Sequence, residues 1–248
     1  MTNKDDIASR VLALVSHKLR TPLSIINGYS EAIIAQKSKE KFSPFTEKAF
    51  EEINKQGQKL AILVDKLLRF TKIEEMSQLE IVKNEVNLKS LLKEASAECI
   101  VYSTEGSNRS IIIKSNNISR DSCAIEIICP DDLMVNIDAN YFKMAIKELI
   151  DNAIKFNNHI ERLIKIYCTK NTNYVSISIK DTGTGIRPGE ISRLFEKFYQ
   201  IDDYFTGQIE GWGLGLPYVK KVMDLHGGSV SVVSDQGSGS VFTLNIPN

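Results

Sequence analysis

The chain has 248 residues, which fits one or two domains, and its 31 basic and 31 acidic side chains balance, so no field draws it to nucleic acid or an anionic membrane. Its four cysteines, Cys99, Cys123, Cys129 and Cys168, lack Cys-x-x-Cys spacing; they read as reduced packing thiols of a cytoplasmic protein and exclude a disulfide framework or a zinc site. Apolar runs such as Ile111-Ile112-Ile113 fall far short of a membrane span and no signal peptide opens the sequence, so no membrane contact is expected of this segment.

The first predicted element is a helix from Asp5 to Gln36. Val15, Leu19, Pro22, Ile26, Tyr29 and Ile33 step by three and four, which marks one buried stripe. His17 falls off that stripe, on the solvent side. Thr21 stands one turn further on the same face, with Cβ atoms about 5–6 Å apart. Pro22 lacks an N–H and crowds the carbonyl of Lys18, so a kink is predicted beside the histidine. An exposed imidazole next to a hydroxyl and a bend is a candidate reactive site.

A polar turn over Lys37 to Phe42 leads to Ser43-Pro44, a serine cap and a proline suited to the first position of a second helix. Ala49, Ile53, Gln56, Leu60, Leu63, Leu67 and Phe70 then alternate four and three residues, a heptad pattern. Two antiparallel helices with long apolar stripes cannot bury both in one hairpin. A homodimer is therefore predicted, with two hairpins forming a four-helix bundle.

Residues 1–76 are assigned to this hairpin and residues 84–248 to a second, α/β domain, with a polar boundary between them. Val86 to Cys99 reads as a helix. Ile111–Ile113, Ala124–Cys129 and Leu133–Ile137 read as strands. Asp138 caps a helix whose apolar face carries Phe142, Ala145, Ile146, Leu149, Ile150, Ala153 and Ile154. Strands follow at Leu163–Cys168 and Tyr174–Lys180, then a helix from Gly215 to His226 stopped by Gly227-Gly228. A hairpin, Ser229–Ser234 and Ser240–Ile246, closes the chain. His159 and His226 are read as structural, the latter suiting a helix C-terminus.

Ser16-His17-Lys18-Leu19-Arg20-Thr21-Pro22-Leu23 resembles the phosphoacceptor box of the sensor histidine kinases of two-component systems. Later segments strengthen the resemblance, in the order that family requires. Lys147-Glu148-Leu149-Ile150-Asp151-Asn152-Ala153-Ile154-Lys155-Phe156 resembles the N box of the ATPase superfamily shared with gyrase, mismatch-repair ATPases and a heat-shock chaperone. Asp181-Thr182-Gly183-Thr184-Gly185-Ile186 resembles the G1 box, Leu194-Phe195-Glu196-Lys197-Phe198-Tyr199 the F box, and Gly211-Trp212-Gly213-Leu214-Gly215-Leu216 the G2 box. The segment between Ile186 and Gly211, with Pro188, Gly189 and Gly207, reads as a lid over the nucleotide.

The resemblance implies an α+β chain, in which the helical hairpin precedes an α/β sandwich of a mixed sheet with helices on one face. It implies ATP and Mg²⁺, the metal held by Asn152 with Glu148 beside it, and an adenine amino group bonded to Asp181. Lys155 would neutralise phosphate, and Phe156 would line the adenine side. The glycine-rich turns would admit the base and, at the helix opening after Gly213, the phosphates. The implied reaction is attack of a neutral His17 nitrogen on the γ-phosphorus, with onward transfer to an aspartate of a response-regulator receiver domain. Thr21 would serve the reverse task, placing water against that phospho-aspartate.

Three residues depart from the family pattern. Lys18 stands where an acidic residue usually accepts the histidine proton, and losing such a base typically removes roughly 10²–10⁴-fold in rate. Glu148, where gyrase-like relatives keep a water-activating glutamate, is the candidate substitute. Gln200 replaces a phosphate-facing arginine, with Lys197 or Arg193 as possible compensation, and Trp212 replaces a small residue. A weakly active or inactive nucleotide-binding scaffold is the alternative function; a gyrase-type ATPase is a third, but such enzymes lack the histidine hairpin.

Overall fold

The computed structural model describes residues 19, 22–33, 44–99, 102–105, 110–114, 122–157, 161–201 and 212–248. The expectations placed on His17, Lys18, Thr21, His159 and Gly211, and on the lid around Gly207, lie outside the described residues. The chain divides into two compact units, Met1–Thr71 and Lys72–Asn248. Among the described residues no helix is long and apolar enough to cross a membrane.

The described residues of the first unit are helical. Residues 22–33 (α1) carry Pro22 buried and Ile26, Tyr29 and Ile33 half-buried. Helix α2, Pro44–Glu75, begins on the proline expected at its first position. Ala49, Gln56, Leu63 and Phe70 are buried and Ile53, Leu60 and Leu67 half-buried, so the heptad stripe is the packed face. The Tyr29 and Phe45 rings lie 6.2 Å apart and tie the end of α1 to the start of α2, as in a helical hairpin. One position over, Phe50, Asn54, Gly57, Ala61, Val64 and Leu68 repeat the same spacing. Phe50, Val64 and Leu68 are 48%, 44% and 67% exposed.

In the second unit, strand β1 (Asn84–Asn87) pairs antiparallel with β5 (Met134–Ile137), and helix α3 runs from Leu88 to Cys99. The helix expected from Val86 thus starts two residues late. Val86 is taken up opposite Val135, and the Asn87 carboxamide oxygen accepts from Ser90 N at 2.9 Å, as an N-cap does. The other strands are β2 (Tyr102–Glu105), β3 (Ser110–Lys114), β4 (Ser122–Ile128), β6 (Glu161–Lys170), β7 (Tyr174–Lys180), β8 (Ser229–Asp235) and β9 (Gly239–Pro247). They form one seven-stranded sheet in the order β2-β3-β4-β6-β7-β9-β8. Only β4 and β6 are parallel neighbours, their connection containing helix α4 (Ala139–Lys155), so the sheet is mixed, as expected.

One face of this sheet is packed. Ile127, Ile166, Ile179 and Phe242 lie in one cross-strand row, and Cys168, Ile177 and Leu244 in another, all buried. Against them sit α3, α4 and the helix α6 (Gly215–His226), through Leu88, Leu92, Phe142, Ile146, Leu149, Val219 and Val222. Fully burying such a side chain contributes about 1.5–3 kcal/mol, so this layer decides the architecture. The opposite face pairs polar groups across the same register: Glu126 with Lys165 at 3.1 Å, Ser178 with Thr243 at 2.9 Å and Ser176 with Asn245 at 2.7 Å.

His226, expected to be structural, ends α6. It is 3% exposed, its Nε2 accepts from Asp138 N at 3.0 Å, and its Nδ1–H donates to the Val222 carbonyl at 2.7 Å. Burial, aided by the charge of Lys83, holds its pKa below the usual histidine range. The folded state keeps it neutral while the unfolded chain protonates it first, so its contribution is present above about pH 6.5 and is lost as pH falls through the folded value. We expect the melting temperature to decline between pH 7 and pH 5 and the slope to shrink in His226→Gln. Equal slopes would rule out this source.

Candidate active site

Asp138 ends β5 and opens α4 by accepting from Asn140 N at 3.1 Å and Tyr141 N at 3.3 Å. With Phe142, Ala145, Ile146, Leu149, Ile150 and Ala153 turned into the core, the helical period leaves Glu148 and Asn152 half-exposed, one turn apart on the other side. Lys155 is exposed in the last turn. Phe156 caps the helix, its N–H bonded to Asn152 O at 3.0 Å. The carbonyl of Phe156 in turn accepts from Thr184 N at 3.0 Å and from Thr184 Oγ1 at 3.4 Å.

That bond fixes the turn after β7. Asp181 is buried, and its Oδ1 accepts from Gly183 N at 2.8 Å and Ser240 N at 3.2 Å. Burial pushes the Asp181 carboxyl above the usual carboxylate range, opposed by those backbone N–H groups. A Cβ on Gly183 would stand 2.3 Å from the Phe156 carbonyl oxygen, so only glycine lets the turn reach the end of α4. Asn157, 1% exposed, donates to Thr182 Oγ1 at 3.1 Å on the same side. On the other side the β8–β9 hairpin holds the turn: Gly237 N donates to Thr184 O at 2.7 Å, and Ile186 N to Ser234 Oγ at 2.9 Å.

A second glycine turn leads into α6. Gly213 and Phe198 both have positive φ, 64° and 63°, and are joined by a bond from Phe198 N to Gly213 O at 2.8 Å. Leu214 takes the N-cap position without a side-chain cap, so no side chain of its own closes the helix N-terminus. Glu148 of α4 reaches this end: a Cβ on Gly215 would lie 2.6 Å from Glu148 Oε2. Trp212 and Leu216 are half-buried beside it.

The aromatic box follows the short helix α5 (Pro188–Ile191). Leu194 is buried, while Phe195 and Phe198 are half-buried. Lys197 forms an ion pair with Glu74 in the last turn of α2. Arg193 lies 3.4 Å from Glu196 and stacks over the Tyr199 ring at 4.1 Å, and Tyr199 O–H donates to Glu190. Both cations considered as compensation for Gln200 therefore have acidic partners, and Gln200 Nε2 is buried without a hydrogen-bond partner.

The structure thus brings Glu148 to Gly215, Phe156 to Gly183, Asp181 to Gly183 and Phe198 to Gly213. Asn157, Ser234 and Ser240 support the Asp181 turn and are not among the residues the sequence patterns single out. Their roles depend on pairing between distant segments, and no local pattern signals them. Among the described residues no group of three or more His, Cys, Asp or Glu side chains stands together as a metal cage. The oxygen donors of Asn152 and Glu148 instead suit a hard cation that arrives with phosphate ligands and keeps most of its waters.

Residues 137–248 match the family model described as histidine kinase-, DNA gyrase B- and HSP90-like ATPase, and residues 8–75 match the His Kinase A (phospho-acceptor) domain. A sensor-like histidine kinase of Rhizobium meliloti is 30% identical over 98% of this chain and 43% of its own length. The sensor protein SrrB of Staphylococcus aureus is 29% identical over 99% of this chain and 39% of its own. The chain spans less than half the length of these curated relatives. Its fold is that of the histidine kinase ThkA, solved in complex with the response regulator protein TrrA: the TM-score is 0.65 at 23% identity, covering 98% of this chain and 64% of that one.

Proposed function

We propose, on the premise that this chain belongs to the sensor histidine kinases of two-component systems, that it is an ATP-dependent protein-histidine kinase core. It autophosphorylates His17 and passes the phosphoryl group to an aspartate of a response-regulator receiver domain. One observation carries the nucleotide half of this reading. A single helix, α4, braces the Asp181 turn through the Phe156 carbonyl and meets the N-terminus of α6 through Glu148.

Both hydrogen bonds that Asp181 receives land on Oδ1. We assign Oδ2 to the adenine amino group. Gly213, Leu214, Gly215 and Leu216 offer the phosphates the N–H groups and dipole of a helix start. Asn152 holds Mg²⁺ with Glu148 beside it, and the bound metal supplies charge neutralisation for the phosphates. The chain's own work is to position the γ-phosphorus against a neutral imidazole. Thr21, four residues after His17, serves the reverse reaction on the regulator. That ThkA was crystallised with a response regulator is in keeping with such a partner.

The exposed second line on α2, with Phe50, Val64 and Leu68, supports a homodimer whose paired hairpins cover it. Replacing Val64 and Leu68 together by glutamate is expected to give a helical monomer in light scattering. A dimer that persists would exclude this seam.

The reaction is tested with γ-labelled ATP and Mg²⁺. The expected result is label on the protein that is lost in acid and stable in alkali. Nucleotide binding with no label on the protein would instead favour the scaffold reading, which Lys18 and the pairing of Lys197 with Glu74 support. Release of phosphate with none on the protein would point to the gyrase type. Since Lys18 accepts no proton, we assign proton removal to Glu148. Glu148→Gln is expected to lower the labelling rate about 10²-fold, and Lys18→Glu to raise it. No loss in the first and no gain in the second would remove that role.

A further inference from the structure

Strands β4 and β6 are parallel neighbours, and the last registered pair sets Ile128 opposite Tyr167. The next residue on each side is a cysteine, Cys129 just past the end of β4 and Cys168 within β6, both buried. They are 5% and 8% exposed, and neither is disulfide-bonded. Adjacent strands run about 4.7–4.9 Å apart, inside the Cα separation of about 4.4–6.8 Å that a disulfide spans.

The register of β4 and β6 sets the two cysteines side by side on the packed side of the sheet. Lys89, whose Nζ lies 2.6 Å from Asp131 Oδ1, also contributes a positive field at Cys129. The neighbouring Cys168 thiol, with Lys89, lowers the Cys129 pKa against the opposing effects of burial and Asp131, while Cys168 is raised. The remaining two cysteines lie outside this arrangement. Burial and the neighbouring Asp151 push Cys99 up to about 12, and burial pushes Cys123 up to about 11.

We propose that Cys129 and Cys168 form a peroxide-oxidisable dithiol whose disulfide ties the end of β4 to β6, across the segment that carries α4 with Glu148 and Asn152. The oxidant is hydrogen peroxide, small enough for a nearly covered site. The Cys129 thiolate attacks one peroxide oxygen and the O–O bond breaks, leaving a sulfenic acid and hydroxide. Hydroxide takes the proton of Cys168. The Cys168 sulfur then attacks the Cys129 sulfur and displaces a second hydroxide, which takes up the proton that Cys129 released on becoming a thiolate. Two electrons pass from the sulfur pair to the peroxide, and the net products are one disulfide and two waters.

The test treats the whole reduced chain with stoichiometric hydrogen peroxide, caps remaining thiols with a maleimide and maps non-reduced peptides by mass spectrometry. The expected result is a Cys129–Cys168 cross-linked peptide lighter by two hydrogens and restored by dithiothreitol, with Cys99 and Cys123 still capped. The disulfide closes a long loop, so the oxidised chain should melt roughly 5–10 °C higher. In Cys168→Ser, Cys129 should stop at the sulfenic acid, captured by a dimedone probe. Oxidation of Cys99 or Cys123 ahead of the pair, absence of the cross-linked peptide in wild type, or a lower melting temperature after oxidation would overturn the proposal. The wild-type map decides even if the serine variant fails to fold.

Discussion

Asp181→Asn is expected to weaken Mg-ADP binding roughly 10- to 100-fold while leaving the fold intact. The reason is the number of acceptors. Oδ1 takes two backbone N–H groups, from Gly183 and Ser240. An asparagine that keeps its oxygen there places its amide N–H₂ where, on the proposed assignment, the adenine amino group donates, so donor meets donor. The flipped amide aims two donors at Gly183 N and Ser240 N in a buried turn. An unsatisfied buried donor costs about 1–3 kcal/mol in either orientation. Titration calorimetry measures the loss, and unchanged affinity would remove Asp181 from base recognition. His17→Gln is the complement: nucleotide affinity stays at the wild-type value, while label on the protein falls to background.

Gly185→Ala should cost on the order of 3–5 kcal/mol of stability and abolish nucleotide binding with it. Gly185 has φ of 66°, and an added Cβ would stand 1.9 Å from the Asp235 carbonyl oxygen and 2.7 Å from its carbon. Backbone on both sides leaves nothing flexible to yield. The turn must leave the hairpin, losing the bonds from Gly237 N to Thr184 O and from Ile186 N to Ser234 Oγ. Two other glycines separate the causes. Gly237 has φ of 84° with open space around its Cβ position, so alanine there should cost only the conformational strain, about 1–2 kcal/mol. Gly189 has neither constraint, and alanine there should be close to neutral. Calorimetric melting of the three variants tests the ranking; equal losses at Gly185 and Gly237 would show that the close approach to Asp235 has no role.

Strongly periodic segments are legible in the amino-acid pattern alone. Tyr174–Lys180 and Gly215–His226 have the predicted limits, because strict alternation in one and a glycine stop in the other leave little freedom. The short strand Asn84–Asn87 gives no such signal, since four mostly polar residues carry no period and become a strand only by pairing with β5. The same division runs through the site. Asn152, Asp181 and the glycines announce themselves as local boxes. Ser240, which reaches Asp181 from 59 residues away, and Glu74, which pairs with Lys197, are visible only once β9 lies beside β7 and the last turn of α2 is in place. Local pattern reports what a segment needs nearby; it holds no record of what distant strands deliver.

The outward side of the sheet, with its paired hydroxyls, amides and the Glu126–Lys165 contact, has a consequence for the whole assembly. These polar groups are satisfied within the sheet itself, so they need no neighbouring surface to complete their hydrogen bonds.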